Sequence, residues 1–515
     1  MDAELANAVL DRIPRYNDYL LRDFMSEQVA KAPEFIEIVF KEAVKLFSGH
    51  ITYAGMRFIP PEERAGLELD YKRGCPVTNS ELSLVEYQFI YDEKTYPVLL
   101  YIPYLKNDVV TIEDTKYVLQ LSIKEKAFSK TTSGITMKVI RQPIPFYRTN
   151  TFRLDSLTDE WYRNMSIPTT SIWNSSSTNY GTKRTDARRP IDATIIHYLL
   201  CKFGFLGTIR RFGLTEQDMI FTNVVSGDVD EYRYFAAKKT KNTKTIDLFL
   251  KIRKSVLEND LITKLTASIL YTLTAFQKHQ VEHLYDPSGA LFRIMLGKSI
   301  YGNSCPEIQC KNKIDAHIPS VDTYLDPITK ARLHSYDIQV EDIYDLLQYV
   351  FINIDRIYMS TSHTDLYNTR VDVMEELLVE TIVHSIYSKW YRVDPNPKKL
   401  AREIKSILNF PRELISKLYK SRIVQKNPPA YGDNILVGWK IQKIRQSGLS
   451  TSGRIIDSPD HRFHPSMAAV ETLVSFSKSN PGAGGAINPH LKISPDGSVI
   501  RQDYSDEIDV LKDLL

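Results

Sequence analysis

The sequence predicts a multidomain α+β protein, and three observations support this fold class. At 515 residues the chain is too long for one hydrophobic core, and about 150 residues per domain gives roughly three domains. Its hydrophobic fraction of 43% and charged fraction of 25% are ordinary for a folded protein. Helical and strand-like periodicities occupy separate stretches of the chain, as expected when helices and strands segregate.

The first 150 residues combine an N-terminal helical stretch with a series of short strands. In residues 1–48, apolar side chains recur at the three- and four-residue spacing of a helix. From about 51 to 146, short runs rich in β-branched and aromatic residues alternate with turn residues, which predicts strands. The clearest of these strand-like runs are 87–91, 97–102, 109–112 and 116–121.

The rest of the chain is predicted to be mostly helical. Residues 164–189 are rich in Ser, Thr and Asn and are predicted to form an exposed loop or linker. Residues 284–335 show no clear periodicity and are expected to be irregular. Apolar periodicity predicts helices at 191–221, 246–283, 340–359, 371–390, 397–407 and 411–419.

Several classes of protein are disfavoured by composition. No stretch of about eighteen residues is apolar and uncharged, so we expect no membrane span. The acidic start of the chain does not resemble a secretory signal. The four cysteines are scattered, and Cys305 and Cys310 have no second pair nearby, which favours reduced thiols over a zinc site.

Positive charge is concentrated in one segment, although the whole chain has a net charge of only +3. Residues 389–454, which we call the basic segment, contain fifteen lysines and arginines against four acidic residues. Tyr419, Tyr431 and Trp439 lie among these cations, a pattern typical of surfaces that follow phosphates. An acidic protein partner would explain the same pattern. Smaller basic runs lie at 183–189 and 238–244.

A glycine-rich run, SKSNPGAGGA, occupies residues 477–486. Three glycines and one proline within five positions exclude a helix, make a poor strand and predict a loop. Residues 491–500 follow as strand-like sequence with a turn in the middle. We therefore expect a structured loop that approaches another molecule closely.

The search for catalytic motifs is mostly negative. The sequence has no phosphate-binding GxxxxGK[ST] loop, no GxGxxG after a strand, no HExxH and no GxSxG. Asp228 and Asp230 have the spacing of a two-carboxylate Mg²⁺ site, but an exposed acidic turn is the favoured interpretation. His461 and His464 lack further ligands at a fixed spacing. The residues therefore indicate no self-sufficient active site.

Four segments, in order, resemble the N-terminal half of the β subunit of multisubunit DNA-directed RNA polymerases. Residues 99–121 (LLYIPYL to VTIEDTKYVLQL) are similar to a strand–turn–strand run ending in VSQL, with Asp114 at the family's turn glycine. Residues 188–204 (RRPIDATIIHYLLCKFG) resemble the entry to the lobe domain. Residues 365–378 (DLYNTRVDVMEELL) resemble DHLGNRRVRLVGELL, and 464–486 resemble the segment that forms a fork loop.

The resemblance implies four domains and a split subunit. These would be a protrusion-like part with N-terminal helices (1–150), a lobe-like part (151–335), a second protrusion-like part with the basic segment (336–455), and a fork-loop region (456–515). The family's next landmark, CPIETPEGPN, does not follow. This resembles the polymerases of giant (jumbo) bacteriophages, in which β and β′ are each divided into separate chains.

A subunit of this kind would form one jaw of the DNA cleft in a nucleotidyltransferase whose Mg²⁺ is held by a β′-like chain. It would bind no cofactor itself. Its expected partners are a C-terminal β-like chain, β′-like chains, template DNA and the RNA–DNA hybrid, in the host cytoplasm during infection or packaged in the virion. The residues expected to bind nucleic acid are Lys417, Lys420, Arg422, Lys440, Lys443, Arg445, Lys478, Asn480, Gly482, Gly484 and Gly485.

Two alternatives remain open at this point. A structural virion protein, such as a portal or tail component that contacts DNA, would also combine long helices with a basic band and no catalysis. A self-contained nucleic-acid enzyme would use Asp228 and Asp230.

Overall fold

The structure, a computed structural model, describes most of the chain up to residue 372 and selected segments beyond it. The described residues are 21–45, 51–69, 81–105, 110–112, 114–119, 121–131, 134–137, 139, 144–147, 153–154, 157–158, 164–167, 191–224, 228, 230–236, 248–273, 283–302, 305–322, 324–361, 365–372, 382, 402, 405–406, 408–412, 414–415, 424–426, 440–443, 466, 470, 484–486, 488 and 491–501.

The chain divides into two compact units. The first unit comprises 1–127, 326–338 and 362–515, and the second comprises 128–325 and 339–361. The domain boundaries expected at 150, 335 and 455 stay predictions.

The first unit begins with helices packed on a three-stranded antiparallel sheet. Its elements are α1 (Leu21–Ala30), α2 (Ala32–Lys45), β1 (Thr52–Phe58), α3 (Pro61–Leu69), β2 (Leu82–Tyr91) and β3 (Lys94–Pro103), with the strands in the order β1-β2-β3. Phe40 of α2 packs edge-on against Tyr87 and Phe89 of β2, with ring centroids 5.1 and 5.2 Å apart. These contacts bury the apolar stripe of α2.

Two smaller sheets complete the first unit. Strands β4 (Val110–Ile112) and β5 (Thr115–Leu119) form one with β18 (Val424–Lys426). Strand β6 (Leu121–Glu125) joins β17 (Thr369–Asp372), β19 (Lys440–Lys443) and β20 (Gly484–Ala486) in the other, which we call the mixed sheet. Helix α9 (Pro327–Ser335) also belongs to this unit.

The second unit contains two sheets and most of the described helices. Strands β7 (Phe128–Thr131), β8 (Gly134–Met137), β9 (Ile144–Tyr147), β12 (Asn164–Ile167) and β13 (Ile191–Thr194) form a sheet in the order β13-β12-β9-β8-β7. Between β9 and β12, the short strands β10 (Arg153–Leu154) and β11 (Leu157–Thr158) pair with each other. Strands β14 (Met219–Thr222), β15 (Tyr232–Ala236) and β16 (Phe249–Arg253) form a separate three-stranded sheet, in the order β14-β16-β15. The helices are α4 (Ile195–Arg211), α5 (Lys254–Leu257), α6 (Asp260–Thr272), α7 (Ala290–Tyr301), α8 (Glu307–Asp322) and α10 (Ile343–Ser360).

Helix α4, in the segment that resembles the lobe entry, is broken at Gly204. This residue has φ +67° and ψ −175°, so the helical hydrogen bonding is interrupted there. The guanidinium of Arg293 compensates by donating from Nε to the backbone oxygen of Cys201 at 2.8 Å. A side chain at 204 would place its Cβ 2.8 Å from the backbone oxygen of Asp286, so only glycine fits.

Four sequence expectations about secondary structure were wrong. The helix expected at 191–221 is flanked by strands β13 and β14, and the helix expected at 246–283 includes strand β16 near its start. Residues 284–335, expected to be irregular, contain helices α7, α8 and α9. Pro327 lies in the first turn of α9, where a missing N–H costs nothing. Residues 369–372, at the start of the helix expected at 371–390, form strand β17. Most of the helices expected after 372 lie outside the described residues, as does the Ser-, Thr- and Asn-rich linker after Ile167.

Candidate nucleic-acid interface

The mixed sheet brings together four segments that lie far apart in the sequence. Its strand order is β17-β6-β19-β20. Strand β6 pairs antiparallel with β17 and parallel with β19, and β19 pairs antiparallel with β20. Lys440 lies opposite Ala486, and Ile441 lies opposite Gly485. Part of the basic segment is therefore hydrogen-bonded directly to part of the glycine-rich run.

The strand directions define one end of this sheet, which we call the Lys443 end. Strand β6 finishes there at Glu125 and β17 begins there at Thr369, because these two residues are paired. Strand β19 runs parallel to β6 and finishes there at Lys443. Strand β20 begins there at Gly484, opposite Gln442. The basic segment thus leaves the sheet where the glycine-rich run enters it.

A second strand of the basic segment, β18, pairs with β5, the strand that precedes β6 in the sequence. Val424 lies opposite Leu119 and Lys426 lies opposite Tyr117, in an antiparallel pair of β18 with β5. Strands β5 and β6 are separated by one residue. The basic segment is therefore paired with two successive strands: β5, within the stretch that resembles the VSQL run, and β6, which begins at the last residue of that stretch.

The residues after the glycine-rich run form a hairpin on β17. The expected turn lies at Ser494–Gly497, where Gly497 N donates to Ser494 O at 2.8 Å and Ser494 N donates to Ser498 O at 3.0 Å. The hairpin is held to β17 because Val371 N donates to Gly497 O at 2.7 Å and Val499 N donates to Thr369 O at 3.3 Å. The prediction of a turn within 491–500 is confirmed.

A further hydrogen bond joins the segments around β17 and the glycine-rich run. The Ser466 hydroxyl accepts from the backbone N–H of Leu366 at 2.8 Å, and both residues are buried. Asn488 N donates to Val470 O at 2.9 Å. The segments 365–372 and 464–500 are consequently held together at several points.

The expected nucleic-acid residues fall into two groups. The backbones of Lys440, Lys443, Gly484 and Gly485 are described, and the sheet brings them together. The others lie outside the described residues, namely Lys417, Lys420, Arg422, Arg445, Lys478, Asn480 and Gly482. One correction applies to the glycine-rich run, because 484–486 form a strand and not a loop. Pairing with β19 outweighs the low intrinsic strand propensity of glycine.

Three cations that the sequence analysis did not single out lie at the Lys443 end. Lys126 follows β6, and its backbone N–H donates to Asn368 O at 3.4 Å. Arg501 follows the hairpin, with its guanidinium 5.3 Å from the ring centroid of Tyr367. Lys492 is paired with Ile500, whose N–H donates to Lys492 O at 3.0 Å. Only the strand pairing could have revealed that they lie together, because Lys126 is far from Lys492 and Arg501 in the sequence.

Carboxylates near the hairpin are held by local hydrogen bonds. Asp365 accepts from the backbone N–H of Tyr367 at 3.0 Å. Asp496 accepts from the hydroxyls of Ser494 and Ser498 and from the backbone N–H of Ser498 at 3.4 Å. Burial opposes ionisation of Asp496, but the hydrogen bonds outweigh it and lower its pKa.

Cations on the three-stranded sheet of the second unit are paired with acids. Lys251 forms an ion pair with Asp228, and Arg253 lies 2.7 Å from Asp218 and 3.3 Å from Glu231. These pairs neutralise the charges of Lys251 and Arg253. The smaller basic runs 183–189 and 238–244 lie outside the described residues.

The candidate Mg²⁺ residues do not fit a metal. The Asp228 carboxylate accepts from Lys251 and from the Tyr234 hydroxyl, and its backbone oxygen accepts from Glu231 and Tyr232 in a turn. An ammonium already occupies the position that a cation would take. Within the described ranges we find no group of three or more His, Cys, Asp or Glu side chains arranged for a metal. In the same residues, none of the helices has the length and apolarity needed to cross a membrane.

Comparison with known proteins gives one informative result. No curated protein matches the chain. A family described as "Non-virion RNA polymerase subunit" matches residues 3–503, which is nearly the whole chain. The other subunits of that polymerase are therefore partners of this chain. The protein belongs to the non-virion RNA polymerase subunit family.

Proposed function

We propose that this polymerase subunit is the N-terminal β-like chain of a phage multisubunit DNA-dependent RNA polymerase. In this role it forms one jaw of the DNA cleft and supports transcription of phage genes in the host cytoplasm. It does not itself hold the catalytic metal. The C-terminal β-like chain and the β′-like chains would complete the active centre.

The mixed sheet is the observation that carries this proposal. Three of the four segments that resemble the β subunit, within 99–121, 365–378 and 464–486, contribute to one connected set of strands or lie beside it. A chance resemblance of separate short motifs gives no reason for them to meet in space. Their meeting supports a shared ancestry of the whole arrangement.

The proposed contribution to catalysis is positional. Nucleotidyl transfer depends on holding the 3′ end, the metal ions and the triphosphate in line, and Mg²⁺ on a β′-like chain would supply the electrostatic stabilisation. The lysines of β19 and the glycines of β20 would lie along the path of the template or the hybrid. Glycine allows a nucleic acid to approach the backbone closely, and lysine neutralises phosphate charge.

The two alternatives have less support. The family's description as a non-virion polymerase gives no support to a portal or tail component. It also gives no support to packaging of the chain in the virion. An enzyme using Asp228 and Asp230 would need an Asp228 carboxylate that is not already paired with Lys251.

Reconstitution of the polymerase with and without this chain tests the proposal. We expect promoter-dependent RNA synthesis to be lost when the chain is omitted and restored when it is added back. Native mass measurement should find one copy with unlike chains. Full synthesis in its absence, RNA synthesis by the isolated chain, or a ring of identical copies would each contradict the proposal.

A further inference from the structure

The cations at the Lys443 end differ from three others in the first unit. Among the described residues, Lys126, Lys492 and Arg501 have no carboxylate within ion-pair distance. By contrast, Lys31 is paired with Glu27 and Lys41 with Glu37, and Arg57 bridges two glutamates. Within the part of the chain whose side chains the structure describes, no carboxylate therefore neutralises these three cations.

Aromatic rings, not acids, support two of these cations. Lys126 Nζ lies 5.9 Å from the ring centroid of Tyr336, and the Arg501 guanidinium lies 5.3 Å from that of Tyr367. A cation held over a ring keeps its full charge and its hydrogen-bond donors for another partner. In the adjacent 3₁₀ turn Leu366–Asn368, the Asp365 carboxylate accepts the backbone N–H of Tyr367.

The strand pairing places these cations at the same end of the mixed sheet. Lys126 immediately follows Glu125, which is paired with Thr369. Arg501 and Lys492 are carried there by the hairpin, which is held to Thr369 through Val499. This is also the end where β19 finishes and β20 begins. Two segments of the chain, the end of β6 and the hairpin, thus contribute positive charge at the same end of the sheet at which β20 of the glycine-rich run begins.

We propose that Lys126, Lys492 and Arg501 bind backbone phosphates of the nucleic acid that passes the Lys443 end. This inference rests on the proposed function and adds to it residues outside the basic segment. Nucleic acid is favoured over an acidic protein because a polymerase subunit works beside template and transcript, and because Tyr336 and Tyr367 offer partly exposed rings beside the cations.

The test uses the reconstituted polymerase and a DNA duplex with a pre-melted bubble. The triple variant K126Q/K492Q/R501Q is compared with K31Q/K94Q/K116Q, which removes three exposed cations of the same unit. Binding constants are measured across a range of salt concentrations. Each lost phosphate contact should lower the slope of log K against log salt by about 0.9, so we expect a decrease of about 2 to 3. The control triple should leave the slope within about 0.5 of the wild type.

Each outcome decides a different point. An unchanged slope in the test triple overturns the inference. Loss of copurification with the other polymerase chains, with an unchanged slope in any complex that forms, would assign these cations to a protein partner and also overturns it. If charge reversal at Lys440 and Lys443 still lowers the slope, the proposed function survives that failure. If the wild-type complex does not need this chain to bind the duplex, the proposed function itself fails.

Discussion

Replacing Gly497 by alanine should release the C-terminal hairpin from β17. Gly497 has φ +82°, a conformation that costs an L residue about 1–2 kcal/mol. The new Cβ would lie 2.3 Å from Val371 O and 3.2 Å from the ring of Phe24, so the backbones must move apart by about 1 Å. That movement weakens the bonds of Val371 N to Gly497 O and of Val499 N to Thr369 O, each contributing about 1 kcal/mol.

The total local cost is about 3–4 kcal/mol, the sum of strain and lost hydrogen bonds. Amide hydrogen exchange measures it directly, because the Val371 N–H is protected only while the hairpin is docked. We expect protection at Val371 to fall by about 100-fold or more, since 1.4 kcal/mol corresponds to a factor of ten. Exchange in the second unit should not change.

Two other glycines provide matched controls. Gly213 also has a positive φ, +76°, but a Cβ there meets nothing within 4 Å, so Gly213→Ala should show the strain alone, about 1 kcal/mol. Gly66 lies in helix α3 with open space around it, and Gly66→Ala should stabilise the helix by about 0.5–1 kcal/mol. If Gly497→Ala costs no more than Gly213→Ala, close packing of the hairpin on β17 is not what holds it.

Three further predictions concern other parts of the chain. Charge reversal at Lys440, Lys443 and Arg445 should weaken template binding and lower its salt slope by about 3, and an unchanged slope would remove this segment from the nucleic-acid path. Gly204→Ala should destabilise the second unit by about 2–4 kcal/mol in thermal unfolding, because its Cβ would meet backbone atoms across the break in α4, and a neutral effect would argue against this geometry. Burial lowers the pKa of His197 from 6.5 to about 4, so the unfolded chain takes up a proton first as pH falls. The second unit should therefore lose up to about 3 kcal/mol between pH 6.5 and pH 4, and His197→Gln should flatten that dependence in unfolding curves measured against pH.

Local sequence signals predicted several elements correctly. The N-terminal helices, the strands between 51 and 146 and the helix at 340–359 have periodicities that their own residues determine. The turn at Ser494–Gly497 was predictable because proline, aspartate and glycine favour a turn wherever they occur together. These features depend on residues within a few positions of each other.

Signals that depend on distant partners were misread. Gly484–Ala486 has the composition of a loop, yet it is a strand because β19 supplies its hydrogen-bond partners. Residues 284–335 were expected to be irregular, yet they contain helices α7 to α9. The cations Lys126, Lys492 and Arg501 carried no signal, since their proximity depends on pairing between residues more than a hundred positions apart.

The amino-acid sequence by itself determined that this chain has a strongly basic segment, a glycine-rich run and an ordered set of motifs resembling a polymerase subunit. Which of these segments touch was decided only by the tertiary structure. Hydrogen bonds between strands do not depend on separation along the chain, so a periodicity can predict a strand without naming its partner. The pairing of β19 with β6 and β20 therefore joins the charge and the glycines at one end of a single sheet.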